Sequence, residues 1–353
     1  MPKKRVDLSR FSVKPVTTVD ELEDRLSAPS PGTIDAVSNL DGDILVLGAG
    51  GKVGPTLAQM AARAVKASGR KRKVFGVSAV FEKGVRKRLD KAGVEAIKTD
   101  LLADGALDEL PHAANVIYMI GQKFGSTGNE WFTWGINVYL AGMAASRYRD
   151  ARIVAFSSGN IYPFEKVISG GSTESTPPVP LGEYAMSCLG RERMFDFWSH
   201  HAGTKVLQYR LNYAAELRYG IAFDIGSQVW AGTPIDVTMG DVNLVWQGYA
   251  NNVALRSLAL AASPPRVLNV AGPELVSVRW MAERFGELMG KTPKFTGEEA
   301  PNVLYNNAAQ CHKLYGYPEV SVDTLIEYVA YWIMSGGPVL GKPTHYETRD
   351  GKF

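Results

Sequence analysis

Cysteine is nearly absent from this chain: Cys188 and Cys311 are the only two among 353 residues, and neither has a CxxC partner. That excludes a disulfide framework and a cysteine-built zinc site, and it fits a reducing, cytoplasmic setting. Long apolar runs are also missing. None approaches the ~20 residues that a membrane-crossing helix needs, so no membrane partner is expected. Charge of one sign is lacking too, since 39 Lys and Arg face 36 Asp and Glu for a formal net charge of +3. The basic clusters at Lys71–Lys73 and Lys83–Arg88 do not form a basic face interleaved with aromatics. Nucleic acid is therefore not an expected partner. Histidines number five. The pair His200-His201 reads as a dipole contact at a helix end, and no metal site is expected.

What is present is a chain long enough for one large α/β unit or two coupled domains, with ordinary hydrophobic (45%) and charged (21%) content. Residues 1–42 read as an N-terminal arm with one short helix near Asp20–Leu26, broken by Ala28-Pro-Ser-Pro-Gly32. Apolar runs at 43–47, 73–77, 95–98, 115–120, 152–156 and 205–210 read as strands. Helical patterns lie between them at 55–67, 85–92, 137–147 and 184–200. This alternation predicts a Rossmann-type, doubly wound parallel sheet over 43–212. Residues 213–335 read as a smaller mixed α/β lobe, some of whose elements return to the first domain. Residues 336–353, rich in Gly, Pro and charge, read as an extended tail.

Between the first strand and helix lies Gly48-Ala-Gly-Gly51-Lys-Val-Gly54. Gly48 permits a tight turn, Gly51 lets a pyrophosphate approach the backbone, and Gly54 lets helix pack on strand. Lys52 and Val53 lead into a helix whose free N–H groups face the phosphates. An acid at the end of the second strand would bind the ribose hydroxyls of NAD, yet position 78 is serine. With Lys83, Arg86 and Arg88 close behind, the reading leans to NADP over NAD. Asp100-Leu101, at the end of the third strand, is a candidate for the adenine edge, or a helix cap.

Tyr184-Ala-Met-Ser-Cys188 opens a long helix, and Ser157-Ser-Gly-Asn-Ile-Tyr162 ends the fifth strand. With the glycine loop, Asp100-Leu101 and Asn137, these motifs resemble the extended short-chain dehydrogenase/reductases, the family of NAD-dependent sugar epimerases and dehydratases, over roughly residues 43–335. The resemblance implies that Tyr184 gives or takes a proton while Ser158 holds the same substrate oxygen. It also implies a lysine four residues after the tyrosine. The continuation Leu189-Gly-Arg-Glu192 aligns that lysine with Cys188. Its absence matters because a free tyrosine, with pKa near 10, is ionised at neutral pH in only about one molecule per thousand. A cation within about 4–6 Å shifts an acid by roughly one to three units.

Three readings follow. Another cation substitutes: Arg191 on the same helix face, or Lys123 in Gly121-Gln-Lys-Phe, a stretch resembling the family's cofactor-contacting loop. Alternatively, the oxidised nicotinamide's own charge suffices. Or tyrosine chemistry is lost and the fold only binds a nucleotide.

On the substrate side, Arg210-Leu-Asn212 resembles the family's Arg-x-x-Asn element with one residue fewer, and Trp246-Gln-Gly-Tyr249 replaces its acidic pair. Both departures weaken the match to a nucleotide-sugar site. Asn160, Asn212 and Gln247 are candidates for holding hydroxyls of a smaller polyol or sugar acid, or are buried structural amides. The resemblance implies a homodimer through the Tyr184 helix and its neighbour. The expected function is an NAD(P)-dependent oxidoreductase or epimerase acting on a carbohydrate-like hydroxyl or keto group. The alternative is a catalytically degenerate nucleotide-binding regulatory or scaffold protein.

Overall fold

The computed structural model describes residues 6–342 and 344–353. Its centre is a parallel sheet of seven strands: β1 (Ile44–Leu47), β2 (Val74–Ser78), β3 (Val94–Lys98), β4 (Asn115–Tyr118), β5 (Arg152–Ser158), β6 (Lys205–Leu211) and β7 (Arg266–Val270). Their spatial order is β7-β6-β5-β4-β1-β2-β3. Strands β1 and β4 are buried along their whole length, as expected where helices cover both faces of a parallel sheet. The order reverses between β1 and β4, which makes the crevice at their carboxyl ends the natural ligand site.

The doubly wound sheet is as the sequence predicts, with one strand more. Strand β7 lies beyond the expected domain boundary at residue 212, yet pairs in parallel with β6 from Arg266↔Leu207 to Val270↔Leu211. Exposed Arg266 at its start and Asn269 within it interrupt the apolar run that marks the other strands.

The N-terminal segment carries two helices, α1 (Val19–Leu26) and α2 (Pro31–Ser38). The Pro/Ser run read as a breaker starts α2. Ser30 Oγ accepts the Thr33 N–H at 3.2 Å, and Pro31 sits in the first turn, where its missing N–H costs nothing. Leu22, Leu26 and Val37 are fully buried and belong to the main core, so this segment is a packed part of the fold.

Helix α3 (Gly54–Ala67) follows the glycine loop, and α4 (Val85–Ala92) links β2 to β3. Between β4 and β5 the helix begins earlier than expected, as α5 (Glu130–Trp134), continues through a wide turn at Gly135–Tyr139, and ends as α6 (Leu140–Arg147). Helix α7 (Gly182–Ala202) carries Tyr184. The C-terminal lobe contributes α8 (Ile221–Ala231), α9 (Gln247–Ser257), α10 (Val278–Met289), α11 (Ala309–Tyr315) and α12 (Val322–Met334).

Candidate functional site

The glycine loop has the geometry its spacing predicts. Gly48 has φ +101°, and a Cβ on Gly54 would collide with the Gly48 carbonyl, so only glycine lets α3 sit this close to β1. A Cβ on Gly51 would meet only the Gly48 oxygen, at 3.4 Å, which leaves its outer side open. Val53 precedes α3 without a side-chain cap, so the first N–H groups of the helix remain available to an anion. This loop and helix start fit a pyrophosphate, and Gly51, Lys52 and Val53 are the residues that could hold one.

The adenosine end fits less closely. The Ser78 hydroxyl donates to Val80 O at 2.8 Å, closing a small turn against Gly50. Asp100 accepts the Leu102 N–H at 3.0 Å, a local cap, and Leu101 is buried. Of the cations behind the lean to NADP, Lys83 and Arg86 are exposed, while Arg88 turns to Glu23, 3.7 Å away. The lean to NADP thus finds no support in the side chains around Ser78.

At the other end, a cavity of about 210 Å3 brings Tyr184, Ser158, Asn160, Asn212, Lys123, Lys52 and Val53 together. Tyr184 stands in the first turn of α7, and Ser158 ends β5. Burial pushes the Tyr184 phenol well above its usual range, and the Cys188 thiol adds to the rise. The Arg191 guanidinium and the Ser158 hydroxyl oppose it. Cys188 is fully buried, and burial raises its own pKa, so it supplies no charge.

Both proposed replacement cations lie near the tyrosine. Arg191, on α7 itself, is buried against the end of β5. It donates to Phe156 O at 2.8 Å and to Cys188 Sγ at 3.3 Å, and the loop at Gly121 passes over it. Lys123 lies on the cavity side, 5.8 Å from the centre of the Tyr184 ring, and donates to Thr344 O at 3.2 Å. Burial lowers its pKa to about 8. Lys52 sits 3.5 Å from the Tyr219 ring centre and 4.3 Å from that of Phe124. Its pKa falls to about 7, first through burial and then through Lys123 and Lys342.

Asn137 fastens this end together. Its amide accepts from Gln122 N at 2.7 Å and donates to Gln122 O at 3.0 Å and to Ser187 Oγ at 2.8 Å, joining the loop after β4 to α7. Arg210 lies behind the site in a two-pronged pair with Glu192, at 2.9 and 2.8 Å. Asn212 reaches the cavity while its amide donates to Asn243 at 2.8 Å. Gln247 does not join it. That side chain is buried and donates to Thr56 Oγ1 on α3 at 3.0 Å, which makes it a packing amide.

Sequence reasoning missed several residues of this cavity. The Ser157 hydroxyl is buried there without a hydrogen-bond partner among the described residues. Its only signal was being adjacent to Ser158. Tyr213 also lines it, with φ +45°, an uncommon conformation for a bulky residue. Thr344 arrives from the C-terminal segment, with no sequence signal at all. Among the described residues no cluster of His, Cys, Asp and Glu suits a metal ion, and no helix is long and apolar enough to cross a membrane.

No protein-family model matches this chain, and no curated protein matches it. Solved structures do. A UDP-glucuronic acid 4-epimerase from Bacillus cereus, in complex with a fluorinated substrate analogue and NAD, aligns with a TM-score of 0.71 at 17% identity, covering 82% of this chain and 98% of the other. A UDP-glucose 4-epimerase from Thermus thermophilus, in complex with NAD, aligns at 0.68 and 18% identity, covering 84% and 100%. One from Thermotoga maritima, with UDP-glucose, aligns at 0.68 and 15%, covering 83% and 99%. At such identities the likeness establishes the shared Rossmann-type fold.

Proposed function

We propose that this chain is an NAD-dependent oxidoreductase or epimerase acting on a secondary hydroxyl or keto group of a carbohydrate-like molecule. The observation that carries the reading is the single cavity in which Tyr184, Ser158 and Lys123 meet beside the glycine loop. When bound, the dinucleotide supplies the carbon that accepts or gives hydride. Gly51, Lys52 and Val53 hold its pyrophosphate. Tyr184 moves the hydroxyl proton, and Ser158 fixes the same oxygen by hydrogen bonding.

Lys123 and Arg191 together replace the field of the lysine missing at position 188. Arg191 acts through the protein interior, where a charge carries further than in water, and Lys123 from the cavity. NAD is preferred to NADP because solved structures of the same fold hold NAD, and Arg88, one of the cations near Ser78, faces Glu23. The exposed Trp131, Trp134 and Tyr139 on α5 and its continuation, with Met186 and Phe197 on α7, suit coverage by a second copy of the chain. A cytoplasmic setting fits its two reduced cysteines.

A second reading has one observation in its favour. Position 188, where the resemblance implies a lysine, holds a fully buried and uncharged thiol, as in a site that has drifted towards a nucleotide-binding scaffold. The deciding measurement denatures purified protein, identifies released nucleotide by mass spectrometry, and titrates fresh NAD, NADH, NADP and NADPH by calorimetry. Retained, non-exchanging NAD supports internal hydride recycling, hence an epimerase. Reversible binding supports net redox. Absence of binding by all four forms would remove the enzyme reading.

A further inference from the structure

The segment 338–342 and 344–353 does not trail into solvent; it runs along the whole ligand crevice. Leu340 N donates to Arg218 O at 3.2 Å, and Lys342 pairs with Glu82 at 3.1 Å at the mouth of the glycine loop. Thr344 N and Oγ1 both donate to Asp224, at 2.8 and 2.6 Å, while the Thr344 carbonyl accepts from Lys123. Tyr346 OH donates to Asp236 O at 3.2 Å, and Arg349 donates to Asn302 O at 2.8 Å. Phe353 then meets the Tyr184 ring edge-on, with centroids 5.5 Å apart.

Two features make the middle of this strap a fixed wall and not a loose tail. Thr344 and Tyr346 are only 5% and 4% exposed, and Tyr346 belongs to the main apolar core. The anchors also bind it to both halves of the molecule, since Asp224 and Asn302 lie in the C-terminal lobe while Lys123 and Tyr184 lie on the sheet side. Withdrawing a core tyrosine together with its hydrogen bonds is a local unfolding event. By contrast, Leu340 and Lys342 are held by one main-chain bond and an exposed ion pair of small worth.

We infer that the strap sets the substrate class: the crevice takes a compact, single-ring sugar or sugar acid and excludes a nucleotide-linked sugar. This inference rests on the oxidoreductase reading above. The space beside Tyr184 is about 210 Å3, with about 50 Å3 more where the strap faces Tyr162 and Phe164. Sites that enclose larger ligands measure about 300–1,000 Å3. A ring-sized group is the largest that this space admits beside Tyr184 and Ser158, and Thr344, Tyr346 and Phe353 of the strap line its edge, where anything attached to the ring would meet them.

The test compares UDP-glucose binding, by calorimetry with and without NAD, in three proteins. These are the full chain, the full chain carrying Asp224→Ala with Tyr346→Ala, which removes both anchors of the wall, and a chain ended after Pro338. If the shortened chain fails to fold by circular dichroism, the double variant carries the comparison. The full chain is expected to bind UDP-glucose weakly or not at all. The opened forms should bind it at least about 10-fold more tightly, about 1.4 kcal/mol. Equal affinity in full-length and opened forms, whether strong or absent, overturns the wall. Failure of every form to bind NAD counts against the oxidoreductase reading alone, because the UDP-glucose arm without NAD still reads the strap.

Discussion

The two ends of the crevice are built by different means. At the glycine loop the backbone forms the site: a positive φ at Gly48, a close helix–strand approach at Gly54 and an uncapped helix start at Val53. At the tyrosine end, side chains form it, and they come from β4's loop, β5, α7, β6's loop and the distant strap. A backbone site needs a few residues at fixed spacing. A side-chain site needs convergence of segments hundreds of residues apart. The first depends on few residues, whereas the second draws on many, and where Cys188 supplies no charge, Arg191 and Lys123 lie close to Tyr184 from other positions.

The largest test of this contrast is Tyr184→Phe. Removal of the proton-transfer group should lower turnover by about 10²–10⁴-fold and leave NAD affinity nearly unchanged. Steady-state kinetics and calorimetry on the same preparation check both halves, and full activity in that variant would remove Tyr184 from the chemistry. The reverse change is Gly54→Ala, where the added Cβ presses on the Gly48 carbonyl. The backbone end should lose about 1–3 kcal/mol of stability, seen as a lower urea midpoint. An unchanged midpoint would mean that the loop relaxes more easily than its geometry implies.

Smaller effects separate the two cations. Lys123→Met and Arg191→Met should each raise the kinetic pKa assigned to Tyr184, by about one unit apiece, in pH profiles of kcat/KM. A shift from Arg191→Met alone would place the compensating charge in the interior. No shift from either would leave the fully raised phenol of Tyr184 without a partner in catalysis.

The legibility of the sequence follows the same division. The glycine spacing, the alternation of apolar runs and the positions of Tyr184 and Ser158 were readable because each is a local pattern with a single structural meaning. Arg191 and Lys123 were readable as candidates because one shares a helix face with Cys188 and the other follows a strand end. Gln247 was open between a substrate contact and a buried structural amide, because an amide's partners depend on which helix it faces, here α3. The cations after β2 suggested a 2′-phosphate, but sequence proximity does not say which way a side chain on an exposed helix points. The strap was unreadable in principle. A Gly/Pro-rich, charged stretch has the composition of a solvated tail, and only the complementary anchors Asp224, Asp236 and Asn302 turn it into a wall.

Lys52 is where the two ends meet, and it yields the smallest and most direct prediction. It belongs to the glycine loop, yet it also lines the tyrosine cavity with Tyr219, its ammonium lies over the Tyr219 and Phe124 rings, and burial with Lys123 nearby lowers its pKa to about 7. The unfolded chain would hold that proton up to the ordinary lysine value of 10.5. Between about pH 7 and 10.5 the unfolded state therefore binds more protons than the folded one, and stability from this group rises with pH. Lys123, lowered to about 8, adds the same sign over a narrower window. Lys52→Met should flatten the stability–pH curve above pH 7 and raise Tm at neutral pH by about 1–2 °C, the effect of about 1 kcal/mol in a chain of this size. It should also weaken NAD binding, because an ammonium that the empty fold carries at a cost is the one a pyrophosphate relieves. A variant that gains stability without losing affinity would assign Lys52 to packing alone, and the two ends would then be independent sites.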